Sequence, residues 1–210
     1  MEIEALIADL AGADHLPRLR ARDAVGVGQL GAVIEGLWVH GGPNALAEGV
    51  RLVEAFGQRD QLAHVGSLLD PPFRPVRVLK AAAGCLGRLG DASVLPRLAP
   101  LLDHPNDMLR RAAVEAAGRL GGTALLLRGL DDTAWQVRMS AAIGLGASLE
   151  TDSAHRALVT AFAAESRVAT AEQIVRSVAD LAGPGAVCTL GDWLADGDQP
   201  VAVRRRRTSN

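Results

Sequence analysis

The sequence predicts an all-α fold, a right-handed α-solenoid (an α-α superhelix) built from about six helical hairpins. Two observations lead to this prediction. A helical phrase recurs about every 30 residues, at residues 78–90, at 109–121 and, more loosely, at 137–149. The composition is 49% apolar but only 3% aromatic, so the core must be built from small aliphatic residues that suit closely packed helices. A fixed period of this length is typical of repeat arrays, in which each unit packs on its neighbours.

Each phrase carries the apolar stripe of an amphipathic helix. With the first residue counted as position 0, the inward residues are those at positions 0, 3, 4, 7, 8 and 11 of the phrases that start at Val78 and Leu109. The glycine that closes each phrase predicts the end of the helix. A shorter second helix follows, most clearly over residues 94–103, and ends in Asp before a polar turn. Each repeat is therefore expected to be a helical hairpin.

Fainter copies of the phrase extend the array in both directions. Phrases start near residues 17, 46, 78, 109, 137, 171 and 203, and a first helix with Leu6 and Leu10 inward precedes them. No linker interrupts this series, which predicts one domain over residues 1–203. Residues 204–210, with four consecutive arginines, are expected to form a disordered basic tail. The incomplete seventh repeat predicts an uncapped C-terminal end through which a homodimer could form.

The turns and helix starts of these phrases carry a family resemblance. The pattern reads Asp103, then Leu109-Arg110-x-Ala112-Ala113 and Gly118-x-Leu120-Gly121, and it returns as Asp131, Val137-Arg138, Ala141-Ala142 and Gly144-Leu145-Gly146. It resembles the HEAT repeat in its bacterial HEAT-like (PBS-lyase-type) form. The resemblance implies that the turn Asp and the helix Arg support one another between neighbouring repeats, which assigns a structural ladder to Asp103, Arg110, Asp131 and Arg138. Leu79 replaces this Arg in the repeat before, so we expect the ladder to be interrupted there.

No motif in the chain supplies a set of catalytic residues. Residues 26–31 spell G-x-G-x-x-G, but a charged helical stretch precedes them where a dinucleotide-binding fingerprint needs a strand. We interpret them as a turn between helices. The five histidines and two cysteines lack the spacing of metal ligands, and no nucleophile–base pair stands out. The protein is therefore expected not to be an enzyme and to hold no cofactor or metal.

The exposed side of the long helices is the predicted binding surface, because the resemblance implies that these helices line the concave face of the array. Seven residues are expected to contact a partner there: Lys80, Arg88, Arg111, Glu115, Arg119, Met139 and Ile143. Four cations against one acid make the middle of this face basic. The predicted function is a non-enzymatic scaffold that binds a protein or peptide, with an acidic segment preferred.

The three tryptophans are exceptions in a chain so rich in alanine. Trp38, Trp135 and Trp193 are interpreted as wedges that fill space between repeats, because a tryptophan buries a large area. A contact with a partner is the alternative for each of them.

Two other functions share the same repeat and stay open at this point. Resemblance to the HEAT-like bilin lyases would imply a lyase or chaperone-like factor, and resemblance to the HEAT-like DNA glycosylases would imply a nucleic-acid binder. The net charge of −2 and the scarcity of aromatic residues argue against nucleic acid as the partner. A cytoplasmic location is expected, because no signal peptide and no membrane-spanning stretch is visible.

Overall fold

The computed structural model describes residues 2–72, 74–149 and 151–182, and these residues contain helices, turns and connecting segments but no β-strand. The chain divides into two compact units, Met1–Leu98 and Ala99–Asn210. Within each unit the helices pack against their sequence neighbours as in an α-solenoid, which confirms the predicted all-α fold. The single domain over residues 1–203 stays a prediction, and the basic tail at 204–210 lies outside the described residues.

The described part of the first unit contains α-helices joined in part by short 3-10 turns. The helices are α1 (Ile3–Ala11), α2 (His15–Ala24), α3 (Leu30–His40), α4 (Pro43–Phe56), α5 (Leu62–Ser67), α6 (Val76–Leu89) and α7 (Leu95–Leu98), and the turns cover Val27–Gln29, Arg59–Gln61 and Ala92–Val94. Helix α4 packs against α1, α3 and α6 and buries Leu46, Val50 and Val53. The core of this unit therefore lies around α4.

The glycine-rich motif at residues 26–31 connects two helices. Helix α2 ends at Ala24, the 3-10 turn covers Val27–Gln29, and α3 begins at Leu30. A dinucleotide-binding motif needs a strand before its first glycine, and here a helix occupies that place. The interpretation of this motif as a turn is confirmed.

The second unit repeats one arrangement of long and short helices. Its described elements are a 3-10 segment (Ala99–Asp103), α8 (Asp107–Arg119), α9 (Thr123–Leu130), α10 (Trp135–Gly146), α11 (Thr151–Ala164) and α12 (Val168–Ala182). Helix α10 packs between α8 and α12, α9 contacts α8 and α10, and α11 contacts α10 and α12. The long helices begin within three residues of the predicted phrase starts at 109, 137 and 171. The seventh start, near 203, lies outside the described residues, so the uncapped end and the homodimer stay predictions.

Local signals set the two ends of α8. The Oδ1 atom of Asn106 accepts a hydrogen bond from the backbone N–H of Leu109 at 3.0 Å, which satisfies one of the free donors at the start of the helix. At the other end, Gly121 has φ of 70°, a left-handed conformation that glycine adopts at low cost. The backbone N–H of Gly122 then donates to the carbonyl of Ala117 at 2.8 Å and closes the helix.

The buried stripe of the long helices differs from the predicted one. Position 5, which is Ala83 in α6 and Val114 in α8, is fully buried, whereas position 3, which is Ala81 or Ala112, is only half-buried. The reason is that each long helix has partners on two sides: α6 packs on α4 and α5, and α8 packs on α10 and α9. The buried arc is therefore wider, and centred differently, than the stripe that one partner would need.

Candidate functional site

The seven predicted binding residues fall on two separate units. Lys80 and Arg88 lie on α6 in the first unit. The other five lie on two helices of the second unit: Arg111, Glu115 and Arg119 on α8, and Met139 and Ile143 on α10. Because α8 and α10 pack directly on one another, Glu115, Arg119 and Ile143 line one depression, and Arg111 pairs with Glu115. Met139 is not among the lining residues. We refer to the exposed side of α8 and α10 around this depression as the α8–α10 surface.

The α8–α10 surface contains a depression of about 470 Å³. Its lining consists of Glu115, Gly118, Arg119, Ser140, Ile143, Gly144 and Ala147. Two glycines let the helices approach closely, since a Cβ atom built on Gly118 would lie 3.3 Å from the Cα atom of Gly144. Ile143 lies beside these glycines with 53% of its surface exposed. The other β-branched residue of α10, Val137, is fully buried. The surface thus offers an apolar contact to a partner.

The charges on the α8–α10 surface are only partly free. The Nε atom of Arg111 donates to Oε1 of Glu115 at 2.6 Å, and the hydroxyl of Ser140 donates to the same oxygen at 3.3 Å. The positive charge of Arg111 is therefore balanced on its own helix. Arg119 is exposed and has no acidic partner among the described residues. The surface is thus an apolar patch with one free cation.

The predicted ladder residue Arg110 forms a two-bonded ion pair with Asp132. Its Nε and Nη2 atoms donate to Oδ2 and Oδ1 of Asp132 at 2.8 and 2.9 Å, and its Nη1 atom donates to the backbone carbonyl of His104 at 3.0 Å. Burial alone would raise the pKa of Asp132, but hydrogen bonds from Arg110 and from the backbone N–H of Ala134, together with the nearby positive charges, hold that pKa below its ordinary value. The pair ties the start of α8 to the turn before α10.

Arg138 repeats this contact one repeat later. Its Nε and Nη2 atoms donate to Oε2 and Oε1 of Glu165 at 2.8 and 3.0 Å, and its Nη1 atom donates to the carbonyl of Asp132 at 2.9 Å. Glu165 has only 2% of its side-chain surface exposed. Burial would raise the pKa of Glu165, but the bonds from Arg138 and from the backbone N–H of Arg167 outweigh burial and lower that pKa.

The acids that pair with Arg110 and Arg138 are not the predicted ones, Asp103 and Asp131. Asp131 lies exposed, and its neighbour Asp132 takes the arginine, because Oδ1 of Asp132 also accepts the N–H of Ala134 at 2.7 Å and is held facing α8. Asp103 pairs with Arg128 of the following short helix at 2.9 Å and not with Arg110.

The short helices of the first unit show a similar pair. Arg97 lies 3.4 Å from Asp70. Where the predicted ladder lacks its arginine, Leu79 is fully buried in the core of the first unit.

Lys80 and Arg88 line a cleft that was not predicted from the sequence. The cleft lies along α2, α4 and α6, and six cationic residues line it: Arg18, Arg22, Arg51, Arg77, Lys80 and Arg88. We refer to these six residues and the depression between them as the basic cleft. The cleft was not predicted because the repeat pattern is weak around α2 and α4. One signal was present, since the spacing of four residues between Arg18 and Arg22 places both on one face of a helix.

The two described tryptophans are packed within their own units. The Nε1 atom of Trp38 donates to Oε1 of Gln61 at 3.1 Å, and its ring stacks on His64 with 4.5 Å between centroids. Trp135 lies under the guanidinium of Arg167, 4.4 Å from the ring centroid. Both arrangements favour the interpretation as wedges, while Trp193 lies outside the described residues.

The described residues lack the side-chain groupings typical of a metal site, and their buried cysteine is not activated. They contain no group of three His, Cys, Asp or Glu side chains that could hold a metal ion. Burial, and beside it the charge of Glu54, raises the pKa of the Cys85 thiol to about 12. Such a thiol is a poor nucleophile, because the thiolate is the reactive form. Within the same residues, no helix combines the length and the apolar character that crossing a membrane requires.

The repeat geometry agrees with the comparison to known protein families. The family model of the HEAT repeats matches residues 62–146, from the first residue of α5 to the last residue of α10. A search of curated proteins found no match to the chain. The matched residues include the hairpin of α8 and α9 and the arginine pair of Arg110 with Asp132. Residues 62–146 of the chain are therefore similar to the HEAT repeats.

Proposed function

We propose that this protein is a non-enzymatic scaffold that binds a protein or peptide partner, and that the α8–α10 surface makes the contact. HEAT repeats generally mediate protein interactions, and proteins built from them are typically scaffolds without catalytic activity. Extended helical arrays use the exposed sides of their helices for this purpose. The cytoplasmic location, the bacterial origin and the two alternative activities stay predictions from the sequence.

The observation that carries this proposal is the exposure of Ile143 beside a glycine floor. Ile143 is 53% exposed on a helix whose other large aliphatic residues are buried, and a depression of about 470 Å³ lies next to it. An apolar side chain of a partner would fill that depression and remove Ile143 from water. Arg119 at its edge would favour a partner with an acid beside the apolar residue.

The test replaces Ile143 by Asp and uses Val39→Asp as the matched control. Val39 is also a branched aliphatic residue on a helix, and it is 89% exposed on α3, which belongs to the first unit. Immobilised wild-type protein and both variants capture polypeptides from lysate of the source cells, and mass spectrometry measures the amounts. The Kd of the captured partner, once purified, is then measured for all three proteins.

We expect Ile143→Asp to raise the Kd for the partner about tenfold or more, because the contact would then bury a carboxylate against apolar atoms. Val39→Asp should leave the affinity unchanged. Equal affinity of the Ile143→Asp variant and the wild type would remove the α8–α10 surface from the proposal. Charge reversal of Arg111 and Arg119 together tests the preference for acidic partners in the same assay.

A further inference from the structure

The basic cleft concentrates positive charge in a unit that is not basic as a whole. Residues 1–98 contain ten Lys and Arg residues against eleven Asp and Glu residues. Six of those ten cations line the cleft, which consists of two adjoining depressions of about 520 and 760 Å³, but only two of the eleven acids do, Glu48 and Glu54. Arg22, Arg51 and Arg77 line both depressions. The charge is thus segregated and not spread over the surface.

Glu48 holds two of these arginines in place. Its carboxylate is 1% exposed and accepts the Nε and Nη2 atoms of Arg22 on one oxygen, at 3.2 and 2.7 Å. Arg51 donates its Nη1 atom to the other oxygen. Each guanidinium keeps further N–H donors that Glu48 does not use. Since the two side chains are already ordered, a ligand would lose less conformational entropy in binding them.

Three cations of the basic cleft have no acidic partner among the described residues. They are Arg18, Arg77 and Lys80, whereas Arg88 pairs with Glu54. The Nε atom of Arg18 is buried and makes no hydrogen bond. A buried donor without an acceptor is unfavourable, and an anionic ligand would satisfy it.

The length of the cleft distinguishes between classes of anion. The residues that α6 contributes run from Val76 to Arg88, a helical rise of about 18 Å. About five residues of an extended peptide cover that distance. The floor is formed by small residues such as Ala55, Ala81 and Gly84, over which a backbone can pass. A Cβ atom built on Gly84 would meet only an Nη2 atom of Arg88, at 3.8 Å.

We infer that the basic cleft binds an extended, carboxylate-rich peptide segment of about five residues. A single phosphate would leave most of the cleft empty, and among the residues that the structure describes no Phe or Trp lines it to stack the bases of a nucleic acid. The inference rests on the proposed function in one respect, namely that the ligand is a polypeptide. It assigns the binding of a run of acidic residues to the first unit, in addition to the single acid that Arg119 would favour at the α8–α10 surface.

The test measures the fluorescence anisotropy of a labelled peptide with five consecutive Glu residues flanked by Gly and Ser. A peptide with Gln at the same positions is the matched ligand without charge. The cleft variant carries Arg77→Gln and Lys80→Gln, and the control variant carries Arg20→Gln and Arg59→Gln, which remove equal charge from exposed positions outside the cleft. Inorganic phosphate and a single-stranded oligonucleotide serve as competitors.

We expect saturable binding of the Glu peptide, about tenfold weaker in the cleft variant and unchanged in the control variant. Binding should weaken in 0.5 M salt, and the Gln peptide should not bind. The inference would be overturned if the Glu peptide did not bind or if both variants lost affinity equally. It would also be overturned if the oligonucleotide displaced the labelled peptide at lower concentration than unlabelled Glu peptide does.

The Ile143→Asp variant separates this inference from the proposed function. It should bind the Glu peptide like the wild type, because Ile143 belongs to the second unit. If the Glu peptide fails to bind while Ile143→Asp still loses the captured partner, then the basic cleft is refuted and the proposed function stands. If the Glu peptide binds while Ile143→Asp keeps the partner, then the α8–α10 surface is refuted and the basic cleft stands.

Discussion

Replacing Arg138 by Ala would leave a buried carboxylate without its cation. Glu165 is 2% exposed, and Arg138 supplies two of its hydrogen bonds, at 2.8 and 3.0 Å. The backbone N–H of Arg167 would still donate to Glu165 at 2.8 Å, and the backbone N–H of Ser166 also bonds to this carboxylate, so Glu165 would keep its backbone partners. Removal of one member of a buried ion pair costs about 3–5 kcal/mol. Because Glu165 keeps its backbone hydrogen bonds, we expect the free energy of unfolding to fall by about 3 kcal/mol.

The exposed pair of Arg128 with Asp103 is the matched control. Its two side chains are 48% and 74% exposed, and exposed pairs contribute about 1 kcal/mol or less. Both substitutions remove an arginine that bridges two repeats of the second unit. The acid is buried only in the Arg138 pair, and Arg138 also donates to the backbone carbonyls of Asp132 and Thr133, so its removal costs more hydrogen bonds as well. Arg128→Ala is therefore expected to cost a third of the Arg138→Ala effect or less.

Thermal and urea unfolding, followed by far-ultraviolet circular dichroism at pH 7, measure both effects. For a chain of this length, about 3 kcal/mol corresponds to a drop in Tm of about 6–12 °C, and about 1 kcal/mol to a drop of about 2–4 °C. Equal drops in the two variants would refute the reasoning, because burial of the acid would then have no influence.

The pH dependence of the same comparison gives an independent check. The pKa of Glu165 is lowered in the folded protein, so its stabilising contribution is present above the ordinary Glu pKa of about 4.3 and is lost as the pH falls through the folded value. In the Arg138→Ala variant, protonation removes the buried charge. The difference in free energy of unfolding between wild type and variant should therefore shrink progressively below about pH 4.3, and a constant difference would contradict the assignment.

Two further predictions concern packing and thiol chemistry in the first unit. Gly49→Ala should lower the free energy of unfolding by about 1–2 kcal/mol, because the added Cβ atom would lie 2.5 Å from the ring of Trp38. Gly84→Ala should raise the free energy of unfolding by about 0.5–1 kcal/mol, because its Cβ atom, in mid-helix, would meet only Nη2 of Arg88, at 3.8 Å. Chemical denaturation measures both, and a gain from Gly49→Ala would contradict the expected clash with the ring. In the Cys188→Ser variant, Cys85 should resist a thiol reagent at pH 8 while the protein is folded and react once it unfolds. The reason is that a pKa of about 12 leaves roughly one thiol in ten thousand ionised. Rapid labelling of the folded protein would contradict this environment of Cys85.

The helices of the second unit could be predicted closely from local signals. The approximate starts of α8, α10 and α12 followed from apolar spacing, and the end of α8 followed from the glycine at 121, whereas the capping role of Asn106 became apparent only in the structure. These signals act over a few residues, and neighbouring repeats reinforce them. The width of the buried stripe did not follow, because it depends on how many helices surround each long helix.

The candidate site was predictable only in part. The five residues of the α8–α10 surface came from the strongest phrases, where the exposed positions could be aligned. Arg18, Arg22 and Arg51 of the basic cleft were missed, because they lie in faint phrases and belong to one cleft only through the packing of α2, α4 and α6. The basic character predicted for the middle of the binding face already counted Glu115, and the structure adds that this acid pairs with Arg111.

By itself, the sequence determined the helical hairpins, their approximate starts and the turns between them, because apolar period, capping residues and glycines act locally along the chain. Only the tertiary structure decided which acid faces which arginine. Asp132 and not Asp131 binds Arg110, and Glu165 binds Arg138, across separations of 22 and 27 residues. Such pairs depend on distance and burial between neighbouring repeats, and the same contacts decide which cations stay free to bind a partner.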